Sequence, residues 1–450
     1  MDKFQRLVVV SALHDGYRID DYTEECHPAT RARILEEMTT WVKQSKVPPI
    51  LWFSGPAGAG KTAIVRSTCS ILQDELNVPF AAIFFWKADS GRNTLQHLPA
   101  TIAHQLYQSV RGLRPFIEQS INDDPMLLDR SFQKQMEKLV IDPLLALHVA
   151  GSITTHRIII LFDGLDECDA DGQRQLLRFL PHLCSQLAPL LIGCFIATRP
   201  ESSIYAEFQH PKLAAISVAK KLEASENDIK LFLIAEFEEI NARHPYLRKK
   251  YGKWPSAEEF DILVKKSSGF FICPKTAIRY IDSSGKGLRP DDRLRIVVSA
   301  FAVDSWHEPI DKLYLAILNQ HAPMADLECF KRRLGLLCLP ALLWRSMAFE
   351  IDTHRQVSIV FQETLEDLRD SLLDLQSLFS LDGGTESAPL LNHSTFRDFL
   401  FSSRRSLEFY VDDQALHMEV VSKHLNHLYK QKFCELSFGL PPAQEAQQLS

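Results

Sequence analysis

Apolar side chains at Ile34, Leu35, Met38, Trp41 and Val42 recur at the spacing of one helix face, which predicts a helix over residues 29–43 that Pro48-Pro49 ends. Residues 50–53 (ILWF) follow another rule: a short unbroken apolar run, too brief for a helix and suited to a buried strand. A glycine loop comes next, then a helix with Ile64, Thr68, Ile71 and Leu72 on one side. The strand pattern returns at 80–86 (FAAIFFW), 157–162 (RIIILF) and 191–197 (LIGCFIA), with helices expected over 95–107 and 173–180. These strands are apolar throughout instead of alternating, as a parallel sheet covered on both faces requires. Strands alternating with helices make 48–200 an α/β domain, with residues 1–47 as a leading segment and helix.

Beyond Pro200 the strand signals fade. Ser225 with Asp228, and Ser256 with Glu259, have the spacing of helix-capping pairs, each ahead of an apolar helical stripe. Residues 205–300 are therefore expected to form a helical domain. Residues 308–410 are again helical and end with a short apolar piece, Pro389-Leu390-Leu391, before another helix. Residues 411–450 supply a last helix and a tail, PPAQEAQQLS, expected to be a frayed end or a truncation point.

The 450 residues are 46% hydrophobic and 24% charged, which excludes a largely disordered chain. Lys and Arg number 50 against 57 Asp and Glu, so the formal charge of −7 gives no support for nucleic-acid binding through a basic surface. The most lipid-like stretches, 188–197 and 334–344, fall short of the roughly 20 residues that span a bilayer. The apolar run at 7–13 is not followed by a clean cleavage pattern, so no signal peptide is expected. Nine scattered cysteines without a CxxC pair suit a reducing compartment, and an intracellular, cytoplasmic protein is expected.

The strongest chemical signal is Gly55-Pro56-Ala57-Gly58-Ala59-Gly60-Lys61-Thr62, which fits G-x-x-x-x-G-K-S/T between a strand and a helix. Glycines let the backbone wrap a phosphate with its N–H groups inward, and the helix adds the positive end of its dipole. In such a loop Lys61 reaches the β- and γ-phosphates, and the Thr62 hydroxyl meets Mg²⁺. The second signal is the strand ending in Asp163-Gly164-Leu165-Asp166-Glu167, which delivers carboxylates to the sheet edge. Asp163 is the expected Mg²⁺ partner, through water, and Asp166 and Glu167 are candidates to orient or deprotonate an attacking water.

Ile196-Ala197-Thr198-Arg199-Pro200 also ends a strand; Thr198 and Arg199 are either γ-phosphate sensors or a simple strand stop set by Pro200. The absence of an NKxD-type tetrad weighs against guanine nucleotides. Four weaker features stay open between function and structure. The segment from His27 to Arg31 is a helix start or a nucleotide contact. Ser90-Gly91-Arg92 is a polar loop or part of the site. Pro274 kinks a core helix or touches the base, and His393 by residue type is a half-buried structural histidine.

GPAGAGKT, RIIILFDGLDE and FIATRP together resemble the NACHT-type STAND NTPases, and within them a large fungal set with a nephrocystin-like nucleotide-binding unit. CHPATR, FFWKADSGRNTLQHLPATIAHQL and NHSTFRDFL extend the likeness over roughly residues 20–425. The resemblance implies an α/β P-loop domain, a helical domain and a winged-helix domain at 48–200, 205–300 and 308–410. It also implies that Gly55, Gly60, Lys61 and Thr62 hold phosphates and Mg²⁺, that Asp163, Asp166 and Glu167 form an extended Walker B, and that Arg199 is a sensor. By the same resemblance His27, Thr30 and Pro274 lie by the adenine, and His393 matches the winged-helix histidine that touches the ADP β-phosphate in NB-ARC proteins. Residues 338–358 depart from the usual winged-helix loop and strand. Too few residues flank the similar region for the effector and repeat sensor of many relatives, so neither is expected here.

The function expected is an ATP/ADP-controlled signalling switch with slow Mg²⁺-dependent hydrolysis, in recognition or cell-death-type responses, assembling with copies of itself or related chains. The rivals are a constitutive P-loop ATPase, marked by fast turnover with a neighbour's arginine, and a truncated regulator or decoy that binds nucleotide without turnover.

Overall fold

A computed structural model describes residues 1–14, 25–86, 91–151, 157–283, 287–303, 305–323, 326–339, 353–381 and 389–438. Its first body is a five-stranded parallel sheet: β1 (Ile50–Ser54), β2 (Phe80–Phe84), β3 (Ile159–Asp163), β4 (Gly193–Thr198) and β5 (Ser217–Lys221), in the order β2-β3-β4-β1-β5. The unbroken apolar runs divide between two cores. Ile50, Trp52, Ile160, Phe162, Cys194 and Ile196 face one. Leu51, Phe53, Ile159, Leu161, Phe195 and Ala197 face the other. Alternate side chains point to opposite faces of a strand, so a strand buried on both sides has no polar position left.

Helices Leu98–Ser109 and Ala170–Gln186 cover the first face, while Ala32–Lys43 and Lys61–Ser70 cover the second through Met38, Trp41, Ile64 and Val65. The fifth strand corrects the expectation that the sheet ends near residue 200. Its sequence, SVAKK, carries two lysines, and its last three residues are exposed at the sheet edge, so no apolar run announces it.

A third core runs from Ile229 to Val420 and joins the helical region to everything after it. Helix Glu226–Arg243 begins at Ser225, whose hydroxyl accepts from the Asp228 N–H at 3.2 Å. Helix Ala257–Lys266 has the full reciprocal box between Ser256 and Glu259. Helices Ile272–Ile281, Pro290–Ala302 and Pro309–His321 pack on one another through Tyr280, Val297, Tyr314 and Ile317. Near the end, β6 (Phe379–Ser380) and β7 (Leu390–Leu391) form a short antiparallel ladder that leads into helix Ser394–Leu400. Residues 340–352, the centre of the divergent stretch 338–358, lie outside the described residues, as do Ser90 and the tail 441–450. Among the described residues no helix is long and apolar enough to cross a membrane.

Candidate functional site

The loop between β1 and helix Lys61–Ser70 turns through two glycines with positive φ, Gly58 at +73° and Gly60 at +85°. Gly58 has a second constraint: a Cβ there would lie 2.2 Å from Cβ of Ile272, because helix Ile272–Ile281 is seated on the loop. The Phe271 N–H donates to the Gly58 carbonyl at 3.0 Å and fixes that seating. Lys61 opens its helix, and its ammonium donates to the carbonyls of Gly55 (2.8 Å) and Pro56 (3.0 Å). Burial lowers its proton affinity, against the pull of Asp166, Asp163 and Glu167.

Thr62 donates its hydroxyl to Oδ2 of Asp163 at 2.7 Å, across the intervening strand β4. Asp163 Oδ1 is buried without a hydrogen-bond partner. Burial raises the Asp163 carboxyl to about 6, opposed by the Thr62 hydrogen bond and the charge of Lys61. A hydroxyl and a carboxylate oxygen in need of a partner fit Mg²⁺, which takes one or two protein oxygens and completes its shell with water and phosphate. Among the described residues no group of three or more His, Cys, Asp or Glu side chains suits a metal held by protein alone.

Gly164, at φ +69°, turns the chain after β3 and brings Asp166 and Glu167 beside the end of β4. Arg199 meets them there. Its N–H donates to Asp166 Oδ1 at 2.9 Å, its Nε lies 3.2 Å from Asp166 Oδ2, and Nη2 lies 3.8 Å from Glu167. The same guanidinium reaches a distant part of the chain, with Nη1 donating to Asp398 at 2.8 Å and Nη2 to the Ser394 hydroxyl at 2.8 Å.

His393 precedes that C-terminal helix and caps it. Its Nδ1 accepts from the Thr395 N–H at 3.1 Å, which leaves the ring proton on Nε2. Thr395 is held in turn by the buried Tyr314 hydroxyl at 2.7 Å. Part of the His393 ring opens onto the cavity, yet protein encloses it. Burial, then the charges of Arg199, Lys61, Arg279 and Lys275, push it down to about 3, so it stays a neutral donor.

One cavity gathers most of the residues singled out from sequence. Ala57, Gly58, Gly60, Lys61, Thr62, Asp163, Asp166, Glu167, Arg199, His27, Thr30 and His393 all line it. Gly55, Pro56 and Ala59 do not, and shape the loop from behind. Pro274 is also absent from the lining. It is buried in the first turn of its helix, where proline needs no kink, and Phe271, Ile272, Lys275 and Thr276 face the cavity. Thr30 spends its hydroxyl on the His27 carbonyl at 2.6 Å, and His27 meets Phe232 edge-on.

Arg31 and Arg92 end two segments left open from sequence, and both line the cavity, as do Phe232, Phe271, Lys275 and Arg279, which were not singled out as site residues. Arg31 is buried with Nη2 donating to Ala59 and Nη1 to Glu223, and its guanidinium lies 5.3 Å from the Phe271 ring centre. With Phe232 it gives the far end of the cavity an aromatic and cationic wall. Arg92 is buried too, its Nε donating to the Phe84 carbonyl. Arg31 is the last residue of CHPATR, whereas Phe271 belongs to no motif read from the sequence.

The family model described as Nephrocystin 3, N-terminal, matches residues 30–199, from the residue before Arg31 to Arg199. Over that stretch the chain is similar to the N-terminal region of nephrocystin 3. Solved structures similar to this chain include a STAND protein with a tetratricopeptide-repeat sensor from Pyrococcus horikoshii, at 14% identity and TM-score 0.41, covering 92% of this chain and 47% of that one. The chain thus spans about half the length of that protein. Others are the Aeropyrum pernix ORC1 protein in complex with DNA (13%, TM-score 0.37, 84% and 93% covered) and Cdc6p from Pyrobaculum aerophilum (11%, 0.34, 92% and 98%). No curated protein sequence matches the chain.

His393 and Asp163 oppose each other as acid is added. Below about 6.5 the unfolded chain protonates a histidine that folded His393 leaves neutral, so stability falls with pH. Between about 6 and 3.8 folded Asp163 takes a proton that its unfolded counterpart does not, so stability rises as pH falls. Each contributes at most about 1.4 kcal/mol per pH unit, and they offset. Asp163→Asn removes one side of the balance. Urea midpoints in metal-free buffer should then fall more steeply from pH 6 to pH 4 in the variant than in the wild type; parallel curves would contradict the Asp163 shift.

Proposed function

We propose that this chain is a nucleotide-controlled switch in which ADP stabilises the closed form and ATP, with Mg²⁺, loosens it. The observation that carries the reading is Arg199. One guanidinium, at the end of β4, bonds both the acidic pair after β3 and the helix that His393 caps. Whatever lies against Arg199 in the cavity is therefore felt by Asp398 and Ser394.

In this reading the P-loop N–H groups and Lys61 bind the phosphates, and Thr62 and Asp163 hold Mg²⁺. Bound Mg²⁺ would neutralise phosphate charge. Asp166 and Glu167 orient a water and accept its proton, with Arg199 steadying the acid that does not react. His393 donates Nε2–H to a phosphate oxygen, which binds the C-terminal region to the same ligand. The helices and short ladder from Pro309 to Leu400 would be the winged-helix-like part of the switch. His27, Phe232, Phe271 and Arg31 would enclose adenine.

Moving such an equilibrium from 1:99 to 99:1 takes about 5.5 kcal/mol of differential binding, within reach of a phosphate with several charge-assisted bonds. The test is twofold. Nucleotide released on denaturing freshly purified protein should be ADP, and sizing chromatography should show a monomer with ADP and a larger species with ATP. Asp398→Ala should raise the larger fraction at a given ATP concentration, with only a small loss of stability because the pair is partly exposed. A monomer under both nucleotides, unchanged by Asp398→Ala, would refute the switch.

A further inference from the structure

Six cationic side chains line the cavity (Arg31, Lys61, Arg92, Arg199, Lys275 and Arg279) against the four carboxylates Glu25, Asp163, Asp166 and Glu167. That is a local excess of positive charge in a chain whose formal charge is −7. Reversal of sign inside a cleft concentrates anions there. Lys61 and Arg199 have roles in the switch; Lys275 and Arg279 have none so far.

Both lie on helix Ile272–Ile281, four residues apart and hence on one face. That helix is registered to the P-loop by the Phe271–Gly58 hydrogen bond and by the contact of Ile272 with Gly58. Its other positions, including Cys273, Ala277, Ile278 and Tyr280, are buried in the third core, so the cationic face is left to the cavity. Lys275 and Arg279 line the same cavity as Lys61, Arg199 and His393, so four cations share that one space. An adenine ring has no use for such a field, whereas a polyphosphate tail does.

We infer that Lys275 and Arg279 form a second cationic arm for the polyphosphate tail of a nucleoside triphosphate, reaching it from the helical region while Lys61 reaches it from the P-loop. The arm rests on the nucleotide reading and deepens it: the helical region is drawn to the phosphates as well as to the base, and more strongly as phosphates are added.

Calorimetric titration of the full chain with ATP, ADP and AMP, each with Mg²⁺, tests this. In K275Q/R279Q the affinity for ATP should fall at least tenfold, that for ADP less, and that for AMP least. The single variants K275Q and R279Q should each show part of the loss, which keeps the test open if the double variant folds poorly. K275R/R279K should retain most of the affinity. An unchanged ATP affinity, or an equal loss for all three nucleotides, overturns the arm and leaves nucleotide binding intact. A wild-type chain that binds none of the three overturns both.

Discussion

Gly58→Ala is expected to lower stability by about 2–5 kcal/mol and to remove measurable ADP binding. Two costs add at this residue. The backbone sits at φ +73°, where a side chain costs about 1–2 kcal/mol. The new methyl would also lie 2.2 Å from Cβ and 2.3 Å from Cγ2 of Ile272, an overpacking that costs roughly 1–3 kcal/mol if the neighbours yield. Yielding means that helix Ile272–Ile281 lifts off the loop and takes Phe271 with it. Trimming Ile272 to alanine should not rescue the variant, because the clash is with the β-carbon that alanine keeps. Urea midpoints and an ADP titration check this; a Gly58→Ala protein that melts and binds like the wild type would mean that the helix is not seated as described.

Lys61→Ala should weaken ATP and ADP binding on the order of 100-fold or more while leaving the fold almost unaltered, since a bond from an ionised donor is worth roughly 1.5–3 kcal/mol and this ammonium would meet two phosphates. The fold tolerates the change because Nζ bonds only to carbonyls of its own loop, at Gly55 and Pro56. One side effect follows from charge. Lys61 helps to keep the Asp163 carboxyl ionised, so its removal should push that carboxyl further above 6 and make any Mg²⁺ binding weaker at mildly acidic pH. Equilibrium titrations at pH 6 and pH 8 measure both effects, and wild-type affinity at either pH would contradict the assignment of Lys61.

How far the sequence discloses the molecule depends on the kind of signal. The inner strands are legible because burial on both faces leaves only apolar residues in them, as at 159–162 (IILF). β5 is not legible, since an edge strand is free to expose Ala219, Lys220 and Lys221. The P-loop and the acidic turn are legible because phosphate and metal demand fixed spacing along the chain.

The partners of Arg199 show the opposite. Asp398 and Ser394 lie 199 and 195 residues away; both belong to NHSTFRDFL, which has no spacing rule that ties it to β4, so only the packing of the third core brings them there. His393 illustrates how residue type misleads. A half-buried structural histidine is what it is by its Nδ1, which caps a helix, yet the same residue also lines the cavity. At Pro274 the sequence pointed to the right turn of the right helix but to the wrong side of it.

The strand order has a consequence for how a ligand must travel. β4 is interposed between the strand that ends in the glycine turn and the strand that ends in acids. A molecule stretched from one to the other has to cross the tip of β4, and the residue waiting at that crossing is Arg199. Its position beside both strand ends is thus dictated by the weave of the sheet.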